Sequence, residues 1–171
     1  EYARRLAAWT PGDLNRIFLA SSGSEAVDAS LKIIMAYHRA RKDQARQVFV
    51  SRERAYHGVT LGGTALGGLA KNREAFSALM PSGVVHMRHT WREQDRFTRG
   101  QPEDGSDLAE DLNRFVAQYG DDAIAACYVE PIAGSTGILV PPKGYLERLR
   151  QICDDFGILL VFDEVICGFG R

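Results

Sequence analysis

The sequence predicts an α/β protein with three layers (α/β/α), in which helices cover both faces of a mainly parallel sheet. Short apolar runs alternate with segments of helical periodicity, and strands separated by helices are joined by crossover connections that make them parallel. The apolar runs are continuous rather than alternating, which is typical of strands buried on both faces. The chain has 171 residues, so we expect about one domain or part of a larger one.

The first part of the chain is predicted to contain a short strand and a long helix. The strand is predicted at residues 16–20, which are apolar from Ile17 onward. Residues 24–42 have helical periodicity, with Val27, Leu31 and Ile34 on one face. Basic residues in the last turn of this helix have the sign that the helix dipole favours there.

The middle of the chain is predicted to add two strands and a helix of small residues. The strands are expected at residues 47–51 and 84–87, where short apolar runs occur. Residues 58–68 are rich in glycine, which predicts a short helix packed closely on a sheet. Residues 88–106 are polar and contain proline and glycine, so we expect a surface excursion there.

The last part of the chain is predicted to repeat a helix–strand pattern. Amphipathic helices are expected at residues 107–119 and 145–156, each followed by an apolar strand, at 123–129 and 158–162. Gly157 follows the second helix and is well placed to end it in a left-handed conformation.

The composition excludes several classes of partner. Lysine plus arginine number 21 and aspartate plus glutamate number 22, so no basic excess points to nucleic acid or to an anionic membrane surface. No apolar run approaches the ~20 residues that span a bilayer. The three cysteines have no metal-ligand spacing, so we predict no metal site. Free buried thiols favour a reducing, cytoplasmic location.

Polar residues follow the predicted strands at the edge of the sheet where open α/β proteins bind ligands. Ser22, Gly23 and Ser24 open the first long helix, and free N–H groups at a helix start bind anions such as phosphate. The same stretch also fits an ordinary capping box. Tyr56 and His57 follow a strand. The tyrosine ring either stacks on a planar ligand or packs on the surface, and the histidine either bonds a loop or does acid–base work.

Two carboxylates also come directly after predicted strands. Glu130 is either buried and hydrogen-bonded or part of a site. Asp163 has the position of the Mg²⁺-binding acid of P-loop nucleotide hydrolases, but the required G-x-x-x-x-G-K-[ST] loop is missing from the sequence. Asp163 therefore needs another cationic partner.

The four motifs in this order resemble the class III aminotransferases, which are fold-type I enzymes that use pyridoxal 5'-phosphate. The motifs are Ser22-Gly23-Ser24-Glu25-Ala26, Tyr56-His57-Gly58, Val129-Glu130-Pro131 and Phe162-Asp163-Glu164-Val165, followed by Gly168-Phe169-Gly170-Arg171. The ordered set is specific and covers nearly the whole chain. The resemblance implies that residues 1–171 are an incomplete part of the large pyridoxal-phosphate-binding domain, without the small C-terminal domain.

The resemblance implies a role for most of the candidate residues. Gly23 and Ser24 would hold the cofactor phosphate, and Tyr56 and Val165 would lie on opposite faces of the pyridine ring. Asp163 would pair with the ring nitrogen and keep it protonated. Ser22 and His57 belong to the same cofactor-binding motifs, and Glu130 would be a buried carboxylate near the ring.

The stretch after Glu130 resembles one branch of the family. Ser135 stands where ornithine-like members have a glutamate that pairs with a mobile arginine, so that pairing cannot form here. The Ala-Gly-Ser-Thr-Gly form is similar to the ω-amino acid–pyruvate aminotransferases. The resemblance therefore implies transfer of an amino group from β-alanine or another terminal amine to pyruvate.

The resemblance also implies that the chain lacks part of the catalytic machinery. The Schiff-base lysine of the family lies beyond Arg171, so we expect no catalytic residue in this chain and no transamination by the chain alone. We expect the chain to be a fragment of a longer enzyme, which is a homodimer or a dimer-based tetramer. Two alternatives stay open: another class III reaction, such as a diamine aminotransferase or an aminomutase, and a non-catalytic α/β module that binds a phosphorylated metabolite.

Overall fold

The computed structural model describes residues 1–170 as an α/β fold with four strands. The helices are α1 (Tyr2–Ala7), α2 (Gly23–Ala40), α3 (Leu61–Leu66), α4 (Ala70–Phe76), α5 (Ser106–Tyr119) and α6 (Tyr145–Phe156). The strands are β1 (Val48–Arg52), β2 (Val84–Met87), β3 (Ile124–Val129) and β4 (Leu159–Phe162). The predicted fold class is confirmed.

The four strands form one parallel sheet in the order β2-β1-β3-β4. The connection from β1 leads to β2 on one side, and the chain then crosses back to place β3 on the other side. Such a reversal of direction opens a crevice at the carboxyl ends of the two strands that flank it. The sheet order therefore directs ligand binding to the ends of β1 and β3.

Each face of the sheet carries its own apolar cluster. On one face, α5 and α6 pack against β-strand residues that include Val50, Met87 and Cys127. On the other face, α2 and α3 pack against Phe49 and Tyr128. All six residues of β3 are buried, as expected for a central strand covered on both faces.

Strand β4 is less buried than its apolar sequence predicts. Leu159, Leu160 and Val161 are only partly buried, and Phe162 is 44% exposed. The physical reason is that β4 pairs with β3 along one edge and has no strand on its other edge within residues 1–170.

The prediction of a strand at residues 16–20 is wrong. This segment is irregular, and Phe18 and Leu19 are 65% and 62% exposed. A strand is stable only where another strand completes its hydrogen bonds, and the described sheet offers this segment no such partner.

Glycines end two of the helices, one of them earlier than predicted. The glycine-rich helix is shorter than predicted because Gly67 leaves the helical conformation, with ψ at 139°, and α4 follows as a separate helix. The predicted left-handed end of α6 is confirmed, with Gly157 at φ 63°.

Cys127 and Cys153 are buried free thiols, as predicted, whereas Cys167 is partly exposed. No helix in the described part of the chain has the length and apolar character that crossing a membrane requires.

Candidate functional site

A cavity of about 160 Å³ lies where the loops after β1, β3 and β4 meet the start of α2. Seven of the eight candidate residues line it: Gly23, Ser24, Tyr56, His57, Glu130, Asp163 and Val165. Ser22 does not line the cavity, because its hydroxyl accepts a hydrogen bond from the Glu25 N–H and caps α2. Residues from four separate parts of the sequence therefore converge on one space.

The start of α2 presents free hydrogen-bond donors to the cavity. The Ser22 side chain and carbonyl occupy the N–H groups of Glu25 and Ala26, which leaves the N–H groups of Gly23 and Ser24 without a partner within residues 1–170. The Ser24 hydroxyl oxygen accepts from the Val59 N–H at 3.0 Å, so its own proton is available to a ligand. This end of the helix also carries the positive end of the helix dipole, which favours an anion.

Two glycines allow the backbone to close around this end of the helix. A Cβ on Gly58, which has φ at 108°, would lie 2.5 Å from the Ser24 hydroxyl oxygen. A Cβ on Gly23 would lie 2.9 Å from Val165 Cγ2. Because glycine has no side chain, the loop after β1 and the loop after β4 can both contact α2.

Asp163 is held in place by two donors. His57 Nδ1 donates to Asp163 Oδ2 at 2.8 Å, and the Val165 N–H donates to Asp163 Oδ1 at 3.1 Å. The His57 side chain is fully buried and that of Asp163 is 9% exposed. Tyr128 lies edge-on to the His57 ring, with the ring centroids 6.1 Å apart, and its hydroxyl bonds Ser30 of α2 at 2.8 Å. The carboxylate is therefore oriented by a buried histidine that packs against Tyr128, and Tyr128 is in turn bonded to α2.

Glu130 ties two loops together through its carboxylate. Oε1 accepts from the Tyr56 N–H at 2.9 Å, and Oε2 accepts from the Gly134 N–H at 3.0 Å. The residue is buried, with 4% of its surface exposed. Its side chain thus fixes the loop that carries Tyr56 and the loop after β3. The sequence alone left this role of Glu130 open.

Gly58 and Ile166 also line the cavity, although neither was predicted as a site residue from the sequence. Gly58 was visible as part of the Tyr56-His57-Gly58 motif, and its positive φ was the missing information. Ile166 has no signal of its own beyond its place after the last motif. A Cβ on Gly134 would lie 2.7 Å from Ile166 Cδ1, so the loops after β3 and β4 also touch here.

A wider groove of about 550 Å³ lies beside α4 and β2 but gathers no comparable set of residues. Its His86 accepts from Arg73 Nη1 at 3.0 Å and donates through Nε2 to the Leu66 carbonyl at 3.1 Å. Burial, with a smaller effect of the Arg73 charge, lowers the pKa of His86 to about 4. The ring is therefore a neutral bridge between β2 and the end of α3.

Neither a lysine nor a metal cluster belongs to the cavity in the part of the chain that the structure describes. None of the lining residues is a lysine, and residues 1–170 contain no group of three or more His, Cys, Asp and Glu side chains that is placed to hold a metal ion. The available chemistry is an anion site, a tyrosine ring and an oriented carboxylate.

The chain matches known proteins along its whole length. The model of the family described as aminotransferase class-III matches residues 1–171. An omega-aminotransferase of Caulobacter vibrioides is 55% identical over all of this chain, which spans 39% of that protein. A beta-alanine–pyruvate aminotransferase of Pseudomonas aeruginosa is 45% identical over all of this chain, which spans 38% of it.

A solved structure gives the same result. The omega transaminase from Pseudomonas jessenii in complex with PMP superimposes with a TM-score of 0.87 at 35% identity, and the match covers 98% of this chain and 37% of that one.

Proposed function

This chain belongs to the class III aminotransferases, and on that premise we propose that the complete protein is an ω-amino acid–pyruvate aminotransferase. It would move an amino group from β-alanine or a similar terminal amine to pyruvate. The observation that carries the proposal is the convergence of an anion-binding helix end, Tyr56 and the oriented Asp163 on one cavity. That combination suits a phosphorylated, planar, nitrogen-containing ring.

The residues present fit pyridoxal phosphate, the cofactor of this family. The free N–H groups of Gly23 and Ser24 suit its phosphate, since a helix start binds such an anion without further charge. Gly58 leaves room beside Ser24 that a Cβ would fill. The Asp163 carboxylate can accept a hydrogen bond from the ring nitrogen, because the donors His57 and Val165 leave lone pairs on its oxygens free.

When bound, pyridoxal phosphate supplies an electron sink for the electrons released as a Cα–H bond breaks. The residues of this chain have supporting roles in that chemistry. Asp163 would hold the proton on the ring nitrogen, and His57 keeps the Asp163 carboxylate oriented. Tyr56 and Val165 would contact the ring, and Glu130 fixes the loop that carries Tyr56 through the Tyr56 N–H.

The branch of the family is supported by the relatives and by Ser135. The omega-aminotransferase of C. vibrioides and the beta-alanine–pyruvate aminotransferase of P. aeruginosa are more similar to this chain than the putrescine–pyruvate aminotransferase of P. aeruginosa, at 55%, 45% and 34% identity. A diamine aminotransferase or an aminomutase is the alternative within the family. A module that only binds a phosphorylated metabolite is the alternative outside catalysis.

The rest of the reaction requires groups from outside residues 1–171. We propose that the lysine that binds the cofactor covalently follows Arg171 in the complete protein. We also propose that the complete protein is a cytoplasmic homodimer or a tetramer of such dimers, which rests on the family resemblance and on the free cysteines.

The test uses the complete protein, reduced with borohydride with and without added pyridoxal phosphate. We expect intact and peptide masses to show one pyridoxyl adduct on one lysine outside residues 1–171. A protein supplied with pyridoxal phosphate that gives no adduct would exclude the aminotransferase and favour the phosphate-binding module.

The substrate is tested separately with pyruvate as acceptor. We expect alanine to form with β-alanine as donor and to form more slowly with putrescine. A preference for the diamine would assign the protein to the other branch, and an adduct without any transfer to pyruvate would favour an aminomutase.

A further inference from the structure

Arg52, the last residue of β1, is a buried cation without a carboxylate partner. It is 1% exposed, and none of the ion pairs within residues 1–170 includes it. Burying an unpaired charge is costly, and apolar side chains of similar volume often serve a protein core as well or better. The presence of arginine here therefore calls for a specific contact.

The only hydrogen bond of the Arg52 side chain within the described residues leads toward the cofactor cavity. Arg52 Nη2 donates to the Glu130 carbonyl oxygen at 3.0 Å. Its Nη1 has no partner, and the guanidinium lies over the Tyr145 ring at 5.8 Å from its centroid. Burial raises the pKa of Tyr145 to about 12, so the tyrosine stays neutral and does not balance the charge of Arg52.

The sheet itself explains why a side chain is needed at this point. The pairing of β1 with β3 ends at Val50 and Cys127, whereas β3 continues along β4 as far as Val129. Beyond Val50 and Cys127, the two strands that flank the crevice are therefore no longer paired in register. The Arg52 side chain crosses this gap and reaches the Glu130 carbonyl.

The same glutamate leads back to the loop after β1. The Glu130 carboxylate accepts from the N–H groups of Tyr56 and Gly134. Arg52 thus holds the main chain of Glu130, and Tyr56 holds its side chain. This arrangement closes a ring of contacts around the end of the crevice.

We propose that Arg52 is a positioning residue for the cofactor cavity: by holding the Glu130 carbonyl, it fixes the Glu130 carboxylate and through it Tyr56 and Gly134. The inference rests on the proposed function for its link to pyridoxal phosphate. Its first consequence is that the loops that carry Tyr56 and Gly134 are rigid, and this consequence does not depend on any cofactor.

Arg46 provides a matched control for a variant of Arg52. It also bonds main-chain carbonyls, those of Ile124 and Phe156, each at 2.8 Å. These carbonyls lie at the start of β3 and the end of α6, at the opposite end of the sheet. Arg46→Met and Arg52→Met both lose charge-assisted bonds to the main chain, but only Arg52→Met loses one beside the cavity.

The experiment measures amide hydrogen exchange in the complete, cofactor-free protein carrying each variant. In Arg52→Met we expect the N–H groups of Tyr56 and Gly134 to exchange at least about 10-fold faster, which corresponds to the loss of one charge-assisted hydrogen bond. In Arg46→Met we expect the exchange of these two groups to stay at the wild-type rate, although its melting temperature also falls.

Cofactor binding is the second measurement on the same variants. We expect Arg52→Met to bind pyridoxal phosphate about 10-fold more weakly, with altered circular dichroism of the visible cofactor band, and Arg46→Met to match the wild type. Wild-type exchange at Tyr56 and Gly134 in Arg52→Met, together with unchanged cofactor binding, would overturn the inference. A wild-type protein that gives no pyridoxyl adduct would instead overturn the proposed function, and the exchange rates would still test Arg52.

A further variant covers the possibility that Arg52→Met does not fold. Arg52→Gln keeps a polar head but is two bonds too short to reach the Glu130 carbonyl, so we expect the same faster exchange. Failure of both variants to fold, while Arg46→Met folds, would count against a positioning role, because the loss of a positioning residue leaves the sheet intact.

Discussion

At the level of single residues, the polar groups of the cavity are each fixed by a second contact. Asp163 is fixed by His57, Ser24 by the Val59 N–H and Glu130 by two backbone N–H groups. Most of these residues could be predicted as site residues from the sequence, because they follow predicted strands. The hydrogen bonds between them could not be predicted, because the partners lie far apart in the chain and their contacts depend on how the loops close over the sheet.

Gly58→Ala is expected to damage the cavity through backbone crowding. The new Cβ would lie 2.5 Å from the Ser24 hydroxyl oxygen and 2.9 Å from Ser24 Cα, at a φ of 108°. Since Ser24 is part of α2, the loop has to move, and we expect pyridoxal phosphate to bind the complete protein about 10-fold or more weakly in an absorbance titration.

Gly100→Ala is the control for this variant. Gly100 also has a positive φ, at 81°, but no atom lies within 4 Å of its added Cβ. We expect it to lose about 1 kcal/mol of stability and to keep its cofactor affinity. Equal cofactor affinity in both variants would contradict the role of crowding at Gly58.

At the level of elements, buried polar side chains connect helices to strand ends. Asp111 of α5 accepts from the N–H and the Nε of Arg88, just after β2, and pairs with Arg114 at 2.9 Å. The positions of α5 and β2 were predicted from apolar periodicity. The Asp111 contact was not, because a buried aspartate on a polar-looking helix has no distinct pattern in the sequence.

Asp111→Asn is expected to destabilise the protein by about 2–3 kcal/mol. Burial alone would raise the pKa of Asp111, but the hydrogen bonds and charge of Arg88 and the charge of Arg114 hold it below its usual value. The stabilisation is therefore present above the ordinary pKa of aspartate and is lost as the pH falls below ~4. Urea unfolding of the complete protein at pH 7 measures the effect.

Asp107→Asn is the matched change on the exposed side of the same helix. Asp107 pairs with Arg92 at 3.4 Å, and its side chain is 60% exposed, so we expect a loss below about 1 kcal/mol. Similar losses for the two variants would show that burial of the Asp111 pair does not matter.

His86 is expected to make the stability of the protein depend on pH between about 6.5 and 4. Its pKa is lowered from 6.5 to about 4 in the folded state, so over this range the unfolded chain binds a proton that the folded chain does not. The free energy of unfolding therefore keeps its full value above pH 6.5 and falls as the pH is lowered toward 4. The expected fall is about 2 kcal/mol, a figure reduced for the solvent screening of a partly exposed ring.

The measurement is the melting temperature of the complete protein between pH 7 and pH 5. His86→Gln cannot take up this proton, so we expect its melting temperature to fall less than that of the wild type over the same range. All other ionisable groups are common to both proteins and cancel in the difference. Parallel curves would contradict the prediction.

At the level of the whole molecule, the alternation of strands and helices was sufficient to predict a parallel α/β sheet. The strand order was not predictable, because crossover connections of similar length are compatible with several orders. The sequence also predicted residues 16–20 as a strand from their apolar character. Apolar character alone does not distinguish a strand from a segment whose partners are not within residues 1–170.

The polypeptide of residues 1–171, produced by itself, is expected to self-associate. Residues 1–22 contain no buried side chain, and Phe18, Leu19 and Phe162 are each more than two fifths exposed. Exposed apolar residues and an unpaired edge strand favour association. Light scattering should detect species larger than a monomer that bind an apolar dye.

The double variant Phe18→Ser/Leu19→Ser is expected to associate less under the same conditions. Leu14→Ser changes a residue that is also exposed, at 63%, but that lies outside the apolar run, and we expect a smaller effect. A monodisperse wild-type monomer without dye binding would refute the prediction.

The distance in sequence between the members of the cavity has a consequence for synthesis on the ribosome. His57 precedes Asp163 by 106 residues, and Tyr56 precedes Glu130 by 74. At a translation rate of about 5–20 residues per second, Asp163 is synthesised roughly 5–20 s after His57. A nascent chain that pauses before Glu130 carries the anion-binding start of α2 but neither carboxylate of the cavity. The cofactor pocket is therefore completed late in the synthesis of this stretch of polypeptide, and a phosphorylated ligand that arrives earlier meets the helix end and the loop that carries Tyr56 without the Asp163 carboxylate.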